Sequence, residues 1–133
     1  MFDGTWTLDI DASRLAGPAP KHWIQHIEVT AERVRVREDI VLADGTILDT
    51  SVDAGFDGAQ YPVHGWPTLD TIAYMRVSER CIAATAKRGG HIAMTETVKV
   101  SNDGHTLTHE FAIRGRAGGV ANSVAVFTRA AVK

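Results

Sequence analysis

The sequence predicts an all-β fold, an antiparallel up-and-down β-barrel of about eight to ten strands with an internal cavity. Three observations carry that expectation. Turn signals recur at short intervals, at Glu32, Asp44-Gly45, Asp57-Gly58, Ser78-Glu79, Gly89-Gly90, Asp103-Gly104 and Gly118-Gly119. Between them lie segments of alternating apolar and polar residues rich in Val, Ile and Thr, the pattern of hairpin-linked strands. No segment carries the period of a long amphipathic helix.

In chain order the expected strands fall near 4–10, 22–30, 33–42, 47–56, 59–64, 69–77, 81–88, 91–100, 105–114 and 120–129. "DASRLAG" (11–17) is the one candidate for a short helical turn, with Asp11 or Ser13 as cap and Gly17 as stop. A meander of this length must dispose of its sheet edges. Closure into a barrel does so, and short hairpin loops argue against a Greek-key sandwich, which needs long crossovers. A single domain over 1–133 is expected.

Composition narrows the function. The chain has 133 residues, enough for one core, with 44% apolar and 23% charged residues. A net charge of −2 without a basic cluster gives no reason to expect nucleic acid or an anionic membrane. No apolar run approaches the roughly 20 residues of a membrane-spanning helix, and Met1-Phe2-Asp3-Gly4 does not read as a signal peptide. The single cysteine, Cys81, favours a reducing compartment, and a cytoplasmic location is expected. The expected partner is a small hydrophobic or aromatic molecule, and the protein itself a monomer or homodimer.

The hairpins suggest a site. In "HIAMTETVKVSNDGHTLTHEF" (91–111), pairing Val100 with His105 aligns Val98 with Leu107, Met94 with Phe111 and Ile92 with Ile113. It also sets Glu96 opposite His109, within the apolar stripe. A slip by one residue would put Lys99 against Leu107 and spoil the match. In the hairpin over 22–42, pairing Val29 with Val34 matches Ile27 with Val36 and Trp23 with Ile40, and sets Gln25 opposite Glu38. The next loop, Ala43-Asp44-Gly45, turns Leu48, Thr50, Val52 and Phe56 inward. The Gly89-Gly90 turn is expected to pair Glu96 with Ala83, Met94 with Thr85 and Val98 with Cys81, leaving small residues beside the acid and hence room for a ligand.

A carboxylate among apolar side chains costs on the order of several kcal/mol unless it is partnered or protonated. An imidazole lowers that cost and can exchange a proton with it, which makes Glu96 and His109 the first catalytic candidates. His109 would move the proton and Glu96 orient the ring. His64 is a further proton-transfer candidate beside Trp66 in "YPVHGWPTLD" (61–70). Tyr74, Trp66, Gln25, Glu38, Met94, Phe111 and Tyr61 are the expected ligand-binding residues. Arg76 shares the phase of Tyr74 and could reach a pocket carboxylate. His22 and His26 stand four apart, but on a strand that separation is roughly 13 Å, so no metal site is expected. No glycine run opens a helix after a strand, so no phosphate loop is implied.

Longer patterns carry a resemblance. Gly4-Thr5-Trp6 opens the first strand and Arg129 closes the last, within "GTWTLDIDASR", "FDGAQYPVHGWPTLDT" and "VKVSNDGHTLT". Across nearly the whole chain this resembles the bacterial lipocalin-like (calycin-type) β-barrel domain family. In such barrels an N-terminal Gly-x-Trp packs under a basic residue from the last strand. His64 and Trp66 depart from the family's pattern, which has smaller polar residues there, and the chain lacks the long C-terminal helix of secreted lipocalins. The resemblance implies a fold and a cavity, and carries over no catalytic residue.

The resulting expectation is a cofactor-independent acid–base enzyme, an isomerase, lyase or cyclase acting on a small apolar or aromatic substrate in the cavity. The alternative is a non-catalytic carrier or sensor of a hydrophobic ligand. A structural domain would instead show a filled interior.

Overall fold

A computed structural model describes residues 1–115 and 118–130. Ten strands form one antiparallel sheet: β1 (Gly4–Arg14), β2 (His22–Val29), β3 (Arg33–Val41), β4 (Ile47–Gly55), β5 (Tyr61–Pro62), β6 (Thr71–Ser78), β7 (Cys81–Arg88), β8 (His91–Val100), β9 (Thr106–Arg114) and β10 (Val120–Arg129). Their order, β4-β3-β2-β1-β10-β9-β8-β7-β6-β5, makes every strand a neighbour of the next in sequence except β4 and β5. The first strand pairs with the last, and β4 meets β5 without a regular ladder. The sheet therefore curls into a nearly closed barrel whose seam lies between β4 and β5. Two backbone hydrogen bonds between Ser51 and His64, both 3.0 Å, fasten that seam.

The register of β2 on β3 follows the expected pairs, Val29 with Val34, Ile27 with Val36, Gln25 with Glu38 and Trp23 with Ile40. Two hairpins differ. In β8–β9, Val100 pairs with Leu107 and Glu96 with Phe111, two residues from the expected pairing. The loop is longer because its side chains satisfy it: Ser101 Oγ and the His105 amide donate to Asp103, and the Thr106 amide donates to Ser101 Oγ. A shift of two preserves which face each side chain takes. In β7–β8 the expected pairing holds at the turn, Arg88 with His91 and Lys87 with Ile92, and then a bulge at Ala93 adds one residue to β8. Ile82, Ala84 and Ala86 thus replace Cys81, Ala83 and Thr85 as the inward partners of Val98, Glu96 and Met94.

"DASRLAG" forms no helical turn. β1 runs on through Arg14, and its irregularity after Asp9 is held by Ala12 N–H donating to Asp9 Oδ1 and Ser13 Oγ donating to the Asp9 carbonyl. Those are cap-like bonds, used here to bend a strand around the barrel.

One end of the barrel is sealed. Trp6 and Phe127 are fully buried there with Leu107. The Arg129 guanidinium lies 4.2 Å above the Trp6 ring and donates to the carbonyls of Met1, Asp3 and Gly104. The glycine of Gly-x-Trp has a physical reason: Gly4 has φ +136°, and a Cβ there would stand 2.5 Å from the Arg129 guanidinium. Replacing Arg129 by alanine should lower unfolding free energy by about 2 kcal/mol, through the lost cation–π contact and unpaired carbonyls. Urea denaturation of the variant checks this, and an unchanged midpoint would contradict it.

Candidate functional site

Inward-facing side chains halfway along the barrel form a continuous polar row. Glu38 on β3 accepts from Trp23 Nε1 and, at 3.1 Å, from Gln25 Nε2, both on β2. Gln25 Oε1 lies 2.9 Å from His109 Nε2 on β9, and His109 Nδ1 lies 3.2 Å from Glu96 Oε2 on β8. Because the Gln25 amide nitrogen serves Glu38, its oxygen must accept, so His109 Nε2 is the protonated donor in this arrangement. Both imidazole nitrogens are thereby engaged. The second carboxyl oxygens of Glu38 and Glu96 have no protein hydrogen bond among the described residues, yet no buried polar side-chain atom there is left without one. Those oxygens therefore open into the interior space.

Tyr74 on β6 completes the ring. It pairs with Ala84 on β7, which pairs with Glu96, so a methyl side chain is all that separates the phenol from the acid along the sheet. The residue is buried, and its hydroxyl, too, faces the interior without a described partner. Burial, reinforced by the Glu96 and Glu38 carboxylates, holds the Tyr74 pKa well above that of a free phenol, so it remains an O–H donor. Burial raises the Glu38 pKa, against the opposing pull of its Gln25 and Trp23 hydrogen bonds and the nearby His109. Glu38 is half-buried and lines the lumen. Ala125, paired with His109, and Phe127, edge-on to it at 5.2 Å, fix the ring from behind.

The lumen has a volume of about 460 Å³, within the range of small-molecule sites, roughly 300–1,000 Å³. Around the polar row its wall is aliphatic and aromatic, with Val36, Val52, Ile72, Val98, Met94 and Phe111 among the lining residues. Trp66 and Leu69 from the β5–β6 connection, with Arg88 and Arg114, border the end opposite the Trp6 seal.

The expected residues divide clearly. Glu96, His109, Gln25, Glu38, Tyr74, Trp66, Met94 and Phe111 line this one space. His64 does not: it is exposed, its backbone holds the seam, and it borders a separate groove on the outside of the barrel. The alternation that turns Val63 inward turns His64 out. Tyr61 sits near the sealed end, where its hydroxyl donates to Asp57 at 2.7 Å and the Arg33 guanidinium covers its ring. It does not line the lumen. Arg76 donates to the Thr30 carbonyl and stacks on Phe56, so it reaches no lumen carboxylate. Sequence reasoning missed Trp23 as a site residue. Its indole shares the inward phase of Gln25, and a buried indole N–H requires an acceptor, which was the available signal.

No family model and no curated protein matches the chain. Among solved structures, the redesigned β-barrel mFAP1 bound to DFHBI is similar in fold, with a TM-score of 0.51 over 96% of this chain and 94% of that one, at 9% sequence identity. The class is thus a ten-stranded antiparallel β-barrel. Its site is the lumen, where the polar row interrupts an apolar wall.

Proposed function

We propose that the protein binds one small, largely apolar molecule in its lumen and seats a single polar group of that molecule on the Glu38–Gln25–His109–Glu96 row. The observation that carries this reading is the set of inward oxygens on Glu38, Glu96 and Tyr74, which face open space inside an otherwise apolar cavity. Groups placed this way are satisfied by water or by a ligand. The redesigned barrel of similar fold is bound to DFHBI, which is compatible with a small-molecule site. Lipocalin-like ancestry fits the Gly4-x-Trp6 seal beneath Arg129, and a single cysteine fits a reducing compartment.

A second reading, acid–base catalysis by an isomerase, lyase or cyclase, is favoured by the Glu96–His109 contact, since holding a ligand requires hydrogen bonds but not a paired acid and imidazole.

Titration with the fluorescent probe 8-anilino-1-naphthalenesulfonate tests the binding reading. The expected result is saturation at one probe per chain, lost on filling the lumen by Met94→Trp. Trp66→Ala, at the mouth, should weaken binding about tenfold through lost aromatic contact. Probe binding that ignores Met94→Trp in a folded variant would place it on the outer surface and overturn the proposal.

A further inference from the structure

We propose that the lumen takes carbonyl compounds with an acidic C–H beside the carbonyl, whose oxygen is held by Tyr74 and Glu38 while Glu96 moves the adjacent proton. This rests on the lumen being the binding site and names the chemistry of what enters it. The argument starts from where each proton must sit. Trp23 and Gln25 both donate to Glu38 Oε2, so that oxygen can only accept. When Glu38 carries its proton, as its burial favours, the proton belongs to Oε1, the oxygen open to the lumen. The Tyr74 hydroxyl is the second donor facing that space. Two O–H donors exposed to an apolar cavity select an acceptor, and they favour most strongly an oxygen that gains negative charge.

The base is then Glu96 and not the imidazole. His109 has both nitrogens occupied, Nε2 on Gln25 and Nδ1 on Glu96, whereas Glu96 keeps one oxygen free. His109 is a positioning residue: with a proton on Nδ1 it donates to Glu96 Oε2 and leaves Oε1 as the acceptor facing the lumen. In the reaction, Glu96 Oε1 takes a proton from the carbon next to the carbonyl. The electron pair of that C–H bond forms a new C=C bond, and the carbonyl π pair moves onto oxygen, where Tyr74 and Glu38 hold the enolate. The Glu96 carboxyl, which can exchange its proton with solvent, then returns a proton to that carbon, or to the far end of a C=C conjugated with it where the substrate has one. This re-forms the carbonyl and leaves Glu96 as a carboxylate. Nothing is oxidised or reduced, and no co-reactant is consumed.

The test uses two probes with the intact chain, 2-naphthol as a mimic of the enol and 2-tetralone as a ketone with acidic C1 protons. 2-Naphthol should displace 8-anilino-1-naphthalenesulfonate from the lumen. NMR in deuterated water should show exchange at C1 of 2-tetralone about a hundredfold faster than in buffer alone. Glu96→Gln, which changes one atom, should abolish the exchange and keep 2-naphthol binding. Tyr74→Phe should slow exchange about a hundredfold. His109→Ala should lose exchange and regain part of it with added imidazole, which a purely structural role would not allow. Exchange no faster than buffer while both aromatic probes bind would overturn the chemistry and leave the binding reading standing. Exchange that survives Glu96→Gln, or failure of 2-naphthol to displace a bound probe, would also overturn it.

Discussion

Alanine in place of Gly65 is expected to lower stability by about 3 kcal/mol and to open the barrel beside the lumen. β4 and β5 share no regular ladder, so closure depends on the Ser51–His64 hydrogen bonds and on the chain that follows them. Gly65 has φ +86°, and a Cβ there would lie 2.1 Å from the Asp49 carbonyl oxygen. That neighbour is backbone of a paired strand and cannot swing away as a side chain could. The substitution must either break the Ser51–His64 bonds or distort β4, which carries Thr50 and Val52 into the lumen wall. Urea denaturation and probe affinity should fall together. Gly58→Ala supplies the comparison: its φ is +75°, but a Cβ there meets nothing within 4 Å. It should cost only the backbone term, about 1 kcal/mol. Equal losses at the two positions would show that the seam plays no part.

The second large effect concerns Glu38 and has a defined sign. Burial raises its pKa above that of an ordinary glutamate in the folded chain. The folded state therefore holds the proton after the unfolded chain has released it. The stabilisation is complete below about pH 4.5 and is progressively lost as pH rises from there through the folded pKa, each unit of displacement being worth about 1.4 kcal/mol. Glu38→Gln removes this titration while its side-chain oxygen still accepts from Trp23 and Gln25. The variant should match the wild type in acid and exceed it in stability near neutral pH. Unfolding midpoints at pH 4 and pH 7 measure the difference. A variant less stable at neutral pH would mean that Glu38 is held as an anion inside the wall.

Strand alternation made most of the architecture legible, but it could state pairing only to within two residues. The β2–β3 hairpin came out pair by pair because its short turn and its apolar match, Trp23 to Ile40 and Ile27 to Val36, agree. In β8–β9 two registers bury the same face, and the Ser101–Asp103 hydrogen bonds choose the longer loop. Glu96 and His109 still meet because their long side chains reach the diagonal neighbour. The bulge at Ala93 has no counterpart in alternation and moved the partners of β8 by one residue. Around Tyr61 and His64 the strand is two residues long and the connection contains Gly65 and Pro67, so side-chain direction there is set by the seam. Which of Val63 and His64 faces the lumen is fixed by the pairing of His64 with Ser51, a contact that the period alone does not supply. Nor does it supply the link of Gln25 to His109, which joins β2 to β9 past the two strands between them, β1 and β10.

The most direct measurement is NMR of the methyl-labelled protein with bound 2-naphthol, read through contacts between ring protons and individual methyl groups. The hollow barrel predicts contacts to Val36, Ile72, Met94 and Val98, all inside the lumen. Contacts confined to Ile47, Met75 and Val77, which lie on the outer surface, would contradict it.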